Sequence, residues 1–282
     1  MKIVFELSEI TPYINWAYFY HAWGMSGKPD AERRKLRQEA EEALGRCEGH
    51  YRAYALFQLF DAMSDGDDIV IPGEDTRIPL LRQQQAGSEF LCLADFISPL
   101  PSSHSPLTSR VGIFATSVSV GLEADFGADP YQKMMMQLLA DRLAEAAAER
   151  MHEQVRKHYW GYVQEEHLSV AEMHQEKFVG IRPAVGYPSL PDASLNFVID
   201  SLLDFSQIGI RLTEHGAMRP HASVSGLMLA HPEAHYFSVG VIGPDQLADY
   251  ARRRGLTLDK ARQFLSSNLP LLNSCTPELL NS

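Results

Sequence analysis

The sequence predicts an α+β fold: a single domain over residues 1–282 in which helices flank a twisted, mainly antiparallel sheet. Three observations predict it. Met135, Leu139, Leu143, Ala147, Met151 and Val155 recur every four residues, with Leu138 and Ala146 widening the stripe, so residues 130–159 read as one long helix with an apolar face. Val111, Ile113 and Ala115 alternate with Gly112 and Phe114, which makes residues 110–120 a strand. Helical and extended segments follow one another without βαβ regularity, which favours antiparallel pairing.

The remaining elements follow in order. Residues 15–25 are dense in aromatics (Trp16, Tyr18, Phe19, Tyr20, Trp23) and are closed by Gly24, Gly27 and Pro29. Rings of that size carry large buried areas and belong to a core. Residues 30–44, rich in Glu, Arg and Ala, read as a mostly exposed helix with Asp30 near its N-cap. Residues 51–63 are more apolar and read as a buried helix. Residues 64–68 form a turn, 69–71 a short strand and 72–75 another turn. Residues 91–97 read as a strand, and 98–109 as a Pro/Ser-rich loop that does not separate two compositions and so marks no domain boundary. Residues 223–230 and 236–242 read as a strand pair joined across 231–234. Residues 244–254 and 258–267 are closing helices separated by Gly255.

Composition narrows the function. Apolar content of 45% and charged content of 22% are those of an ordinary globule. The formal charge of −11, from 36 acids against 25 bases, argues against broad binding to nucleic acid or anionic membranes, both of which need a basic face. No stretch approaches the roughly 18 apolar residues of a membrane span. The first residues carry Glu6 and lack the apolar run of a signal peptide. Cys47, Cys92 and Cys275 lie far apart, and an odd count without a C-x-x-C pair fits a reducing cytoplasm rather than a disulfide framework or thiolate metal site. Several familiar catalytic motifs fail. His152-Glu153 and His158 do not make H-E-x-x-H, Ser223-Val224-Ser225-Gly226 lacks the first glycine of a nucleophile elbow, and no G-x-G-x-x-G or P-loop occurs. The 11 histidines are scattered, and His231 and His235 flank a turn as structural residues.

The most constrained stretch is 180–192. Pro183, Pro188 and Pro191 each fix φ and remove a donor, and Gly186 permits a backbone conformation that a Cβ would block. The segment therefore reads as a stiff loop, neither helix nor central strand, with Arg182 at its entrance and Tyr187 at its tip. A rigid loop carrying a guanidinium and an aromatic ring suits a small ligand with a carboxylate and a flat ring.

Arg182-Pro183-Ala184-Val185-Gly186-Tyr187-Pro188-Ser189-Leu190-Pro191-Asp192 closely resembles the signature loop of the activation domain of cobalamin-dependent methionine synthase. Asp141-Arg142-Leu143-Ala144-Glu145, Val155 to Tyr162, Thr213-Glu214, Ala222 to Gly226, His231-Pro232, Tyr236 and Asp249 to Arg253 are similar to family motifs in the family's order. The resemblance runs from about Tyr13 to about Leu271. It implies an S-adenosylmethionine-binding module that supports reductive methylation of cob(II)alamin to methylcobalamin. The cobalamin would be carried by a partner module of methionine synthase, and the electron would come from flavodoxin or a similar reductase. The chemistry would sit on the two cofactors, with this chain active only as a component, which agrees with the lack of a catalytic dyad.

By the same resemblance, Arg182 would hold the methionine carboxylate, backbone groups of Ala184 and Gly186 would read the adenine edge, Tyr187 and Tyr236 would line the cleft, and Glu145 would reach the ligand. Asp141 would face the docked cobalamin module. The docking face would lie around Tyr187, Tyr236 and the helix of Glu145. Several positions depart from the family. Val185 replaces a proline, and Phe237 stands where a second tyrosine is common. Leu190 replaces Cys, and Arg219-Pro220-His221 replaces Trp-Pro-Gly. Asn15 replaces an acid that contacts the ligand, which removes a counter-charge for a ligand bearing an ammonium and a sulfonium. Because the chain begins at Met1 just before the module, it is expected to be a separately encoded activation subunit or an excised piece of a longer chain. The departures also suit an alternative, a stand-alone reactivator or carrier for a different corrinoid protein.

Overall fold

The computed structural model describes residues 1–85, 89–99 and 110–270. Its strands are β1 (Lys2–Glu6), β2 (Arg52–Asp61), β3 (Met63–Asp65), β4 (Asp68–Ile71), β5 (Thr76–Pro79), β6 (Arg110–Val118), β7 (Arg211–Leu212), β8 (Met218–Arg219) and β9 (Ser223–Met228). Its α-helices are α1 (Leu7–Ile10), α2 (Trp16–Ala22), α3 (Asp30–Cys47), α4 (Gly121–Ala124), α5 (Pro130–Gln154), α6 (Val170–Met173), α7 (Leu195–Leu203), α8 (Pro244–Arg254) and α9 (Leu258–Phe264). The main sheet has the order β1-β2-β6-β9, antiparallel throughout, with Phe5 opposite Ala53, Phe57 opposite Phe114 and Ala115 opposite Ser225. Strands β3-β4-β5 form a small second sheet and β7-β8 a short hairpin. The α+β expectation with antiparallel pairing therefore holds.

Both faces of the main sheet are covered. On one face Ala53, Ala55, Phe57 and Phe114 pack with Met135, Leu139, Leu143, Ala147 and Met151 of α5 and with buried residues of α1 to α3. On the other, Leu56, Phe60, Ile113 and Ala115 pack with Leu195, Ile199 and Leu203 of α7. A third cluster, around Leu247, Tyr250, Ala261 and Leu265, holds the closing helices.

This two-sided burial explains the largest correction. Residues 52–61 are a central strand and not the expected buried helix. A strand apolar on both faces loses its alternation and cannot be told from a helix by periodicity. Helix α5 forms as read: Asp129 caps it by accepting from the Tyr131 N–H at 2.8 Å, Pro130 occupies its first turn, and it runs into a π-helical turn at Val155–Tyr159. Helix α3 starts at Asp30 as well, with Pro29 rather than Asp30 at the cap.

Two further expectations are corrected. Residues 91–97 contain a 3-10 turn, Leu93–Phe96, because Asp95 accepts the Cys92 N–H at 2.8 Å and closes the chain locally. Residues 236–242 are not a strand, since the edge of β9 on which they would pair is taken by residues 181–185. Helix α7 was not anticipated at all. Of the Pro/Ser-rich loop, residues 100–109 lie outside the described residues, as does Cys275, while Cys47 and Cys92 are free and buried.

Candidate functional site

The 180–192 segment is where sequence and fold meet. Residues 181–185 lie antiparallel to β9 in strand register. Ile181 and Leu229 exchange both backbone bonds at 2.9 Å, the Leu227 N–H donates to the Pro183 carbonyl at 3.0 Å, and the Val185 N–H donates to the Ser225 carbonyl at 2.9 Å. Pro183 needs only its carbonyl here, so its missing donor costs nothing. Gly226, opposite Ala184, has no room for a side chain, because a Cβ would meet the Pro183 carbonyl at 2.1 Å. Since 181, 183 and 185 bond to β9, strand alternation turns the backbone groups of Arg182 and Ala184 the other way. The Arg182 N–H meets the Tyr236 hydroxyl at 2.9 Å. Beyond the strand, Gly186 (φ +87°) and Pro188 turn the chain so that the Gly186 N–H reaches the Leu190 carbonyl at 2.8 Å, and Tyr187 projects half exposed.

Helix α5 supplies the facing wall. Arg142, Glu145 and Glu149 lie three and four residues apart on one helix face. Glu145 accepts from Arg142 at 2.8 Å with Oε2 and from the Tyr187 hydroxyl at 3.3 Å with Oε1, joining the tip of the segment to the helix. Glu149 is ion-paired with Arg182, whose guanidinium lies 5.9 Å over the Phe114 ring. Burial raises the Glu145 carboxyl above its ordinary range against the pull of Arg142 and Tyr187. Burial also raises the Tyr236 hydroxyl, against the Arg182 charge. For Arg182, burial works against the charge, and Glu149 outweighs it.

Between the walls lies a cleft of about 750 Å³, a size that suits a nucleoside-sized ligand. Of the residues singled out from sequence, Arg182, Ala184, Tyr187, Glu145, Tyr236, Phe237 and Asn15 all line it. Gly186 and Asp141 do not. Gly186 shapes the turn. Asp141 sits one helical turn from Glu145, 3.3 Å from Nδ1 of the exposed His221, with its carboxyl raised by burial. Asn15 faces the cleft and also caps α2, its Oδ1 accepting the Ala17 N–H at 3.2 Å.

Sequence reasoning missed Tyr13, Tyr18, His174, Glu176 and Phe178, which join the cleft only through the fold. Glu149 is the one missed residue with a signal in the sequence, its four-residue spacing from Glu145 on the long helix. His152, on the same helix, is fully buried, edge-on to the Phe178 ring at 5.1 Å with Nδ1 2.9 Å from Arg156. The chain around Phe178 crosses that side of α5 and seals it.

A second hollow, of about 680 Å³, lies between β5, α7 and the closing helices. Two of its cations are committed to structure: Arg77 pairs with Asp65 at 2.7 Å and Asp68 at 3.2 Å, and Arg254 with Asp192 at 3.5 Å. Among the described residues no group of three or more His, Cys, Asp or Glu is placed to hold a metal ion, and no helix is long and apolar enough to cross a membrane.

An antiparallel sheet whose open edge is closed by a Pro/Gly-rich strap, with an Arg on the strap and acids on the facing helix, defines a small-molecule binding module. The model of the vitamin B12 dependent methionine synthase activation domain matches residues 6–255, and the chain belongs to that family. The structure is similar to a crystal structure of the MetH reactivation domain bound to AdoHcy. The two chains are 36% identical, with a TM-score of 0.87 over 95% of this chain and 90% of that one.

Proposed function

We propose that the chain binds S-adenosylmethionine in this cleft and serves as the reactivation module of a cobalamin-dependent methionine synthase, all of it acting as one domain. The observation that carries the reading is the convergence of Arg182, Glu145, Tyr187 and Tyr236 on one cleft, in a chain 36% identical to a domain with AdoHcy bound. Arg182 would grip the ligand carboxylate. The Ala184 backbone would read the adenine edge in a strap that Gly186 turns, and Tyr187, Tyr236 and Phe237 would present faces to ring and sulfonium. Glu145 would pin Tyr187 over the ligand and itself face it. The work of these residues is to position the ligand and exclude water, which needs no general base.

The cobalamin of a partner module would supply the methyl-accepting centre, with an electron from flavodoxin or a similar reductase. That partner would dock across the open mouth at Tyr187, with Asp141 and His221 on the rim. The module would act only as part of that assembly, in a reducing cytoplasm that suits the free, buried Cys47 and Cys92.

The test is calorimetric titration with S-adenosylmethionine beside Arg182→Lys and Arg182→Ala. A lost charge-assisted pair is worth about 1.5–3 kcal/mol, or roughly 10- to 150-fold in affinity. The alanine variant should lose at least tenfold while retaining a cooperative melt. Wild-type protein that fails to bind at millimolar ligand, alone and with a cobalamin module present, refutes the reading.

A further inference from the structure

The ion pair at the floor of the cleft uses only half of each partner. Nη2 of Arg182 donates to Oε1 of Glu149, while the buried Nη1 of Arg182 and Oε2 of Glu149 have no hydrogen-bond partner among the described residues. A buried polar atom without a partner is uncommon, and each such case asks for an explanation. Here an idle donor and an idle acceptor of opposite charge sit on adjacent side chains. Their chemical complement is a carboxylate and an ammonium carried on one carbon, the head of an α-amino acid.

Glu145 and Asn15 are less suited to take the ammonium. Both oxygens of Glu145 are engaged, by Arg142 and by Tyr187. Asn15 is neutral, and its Oδ1 is spent on the cap of α2. Glu176 also lines the cleft, its carboxyl raised by burial and by the Glu149 charge and lowered by the Arg182 charge, so it is the control against which Glu149 is tested.

We propose that Glu149 is a specificity-determining residue, which recognises the ligand's ammonium while Arg182 takes its carboxylate, so that the site selects a zwitterionic amino-acid tail over an adenosyl thioether lacking the amino group. The proposal rests on the S-adenosylmethionine reading above. It assigns to α5 the counter-charge that Asn15 does not provide. On binding, the half-used pair becomes a closed cycle of four charges, Glu149, Arg182, carboxylate and ammonium, in which each idle atom gains a partner.

The experiment compares two ligands, AdoHcy and its desamino counterpart, which keeps the carboxylate and carries hydrogen in place of the amino group. Wild-type protein should bind AdoHcy at least about tenfold more tightly. Glu149→Gln should bring the two ligands within about threefold of one another, whereas Glu176→Gln should leave the wild-type preference standing. A merely structural role for Glu149, holding Arg182 in place, would weaken both ligands equally and leave their ratio unchanged, and that result overturns the proposal. A wild-type ratio near one overturns it without any variant, so a poorly folding mutant does not decide the matter. Wild-type protein that binds neither AdoHcy nor S-adenosylmethionine removes the underlying reading and the proposal with it. Tight S-adenosylmethionine binding with an unmoved ratio in Glu149→Gln removes the proposal alone.

Discussion

Asn15 holds the start of α2 with the same oxygen that an aspartate would use, so the cap and the cleft can be tested with one substitution. Asn15→Asp keeps an acceptor at the N-cap, adds a favourable charge at a helix N-terminus, and restores a negative group to a wall that faces a cationic ligand. S-adenosylmethionine affinity should rise about fivefold, the equivalent of roughly 1 kcal/mol for one added charge-assisted bond. Titration of the two proteins side by side checks this, and an unchanged or lower affinity for the variant would refute it. The gain should be smaller for AdoHcy, whose thioether is uncharged. Arg182, Tyr187 and the strap that carries them were readable at this scale because the strap is written in proline, glycine and arginine, whereas Glu145, Tyr236 and Asn15 were reached only through the family resemblance. Tyr13, Tyr18 and Glu176 were not readable, because nothing local distinguishes a tyrosine or glutamate that the fold brings to a cleft from one it leaves on a surface.

Strap and sheet are one element in two languages. Helix α5 and strand β6 were legible because each has a clean period. Strand β2 was not, since burial on both faces erases the alternation that marks a strand. The 236–242 segment has strand composition, but the β9 edge on which it would pair is taken by residues some 50 positions earlier in the chain, 181–185. Gly226 is where the pairing is most exposed to test. In Gly226→Ala the new methyl would meet the Pro183 carbonyl at 2.1 Å, so either β9 or the strap must move. Steric overpacking of this kind costs about 1–3 kcal/mol, seen as a lower urea midpoint at unchanged slope. Ligand affinity should fall as well, because Arg182 and Ala184 are carried by the displaced backbone. An unshifted midpoint would show that the strap is not held by β9.

Across the whole molecule, the ledger of charges predicts a particular acid sensitivity. Burial, and then the nearby Arg156 and Arg182 cations, hold the His152 imidazole well below its usual pKa. In the unfolded chain it titrates near about 6.5. Between that value and its depressed folded value the unfolded state binds the extra proton, so stability is fully present above about 6.5 and falls as the pH drops through this window. The slope contributed by one proton is at most about 1.4 kcal/mol per pH unit. Urea unfolding from pH 7.5 to 5 should show that decline, and His152→Gln should flatten it. Equal slopes in the two proteins would assign the acid limb to other groups. A different kind of consequence attaches to the strap on β9. A bare sheet edge is a template for pairing with another molecule, and here the ligand-holding segment is also the cover over that edge. Loosening it should produce oligomers and light scattering on concentration, before any loss of helix signal. Substitutions in residues 181–185 are thus screened twice, once for what the protein holds and once for whether it stays in solution.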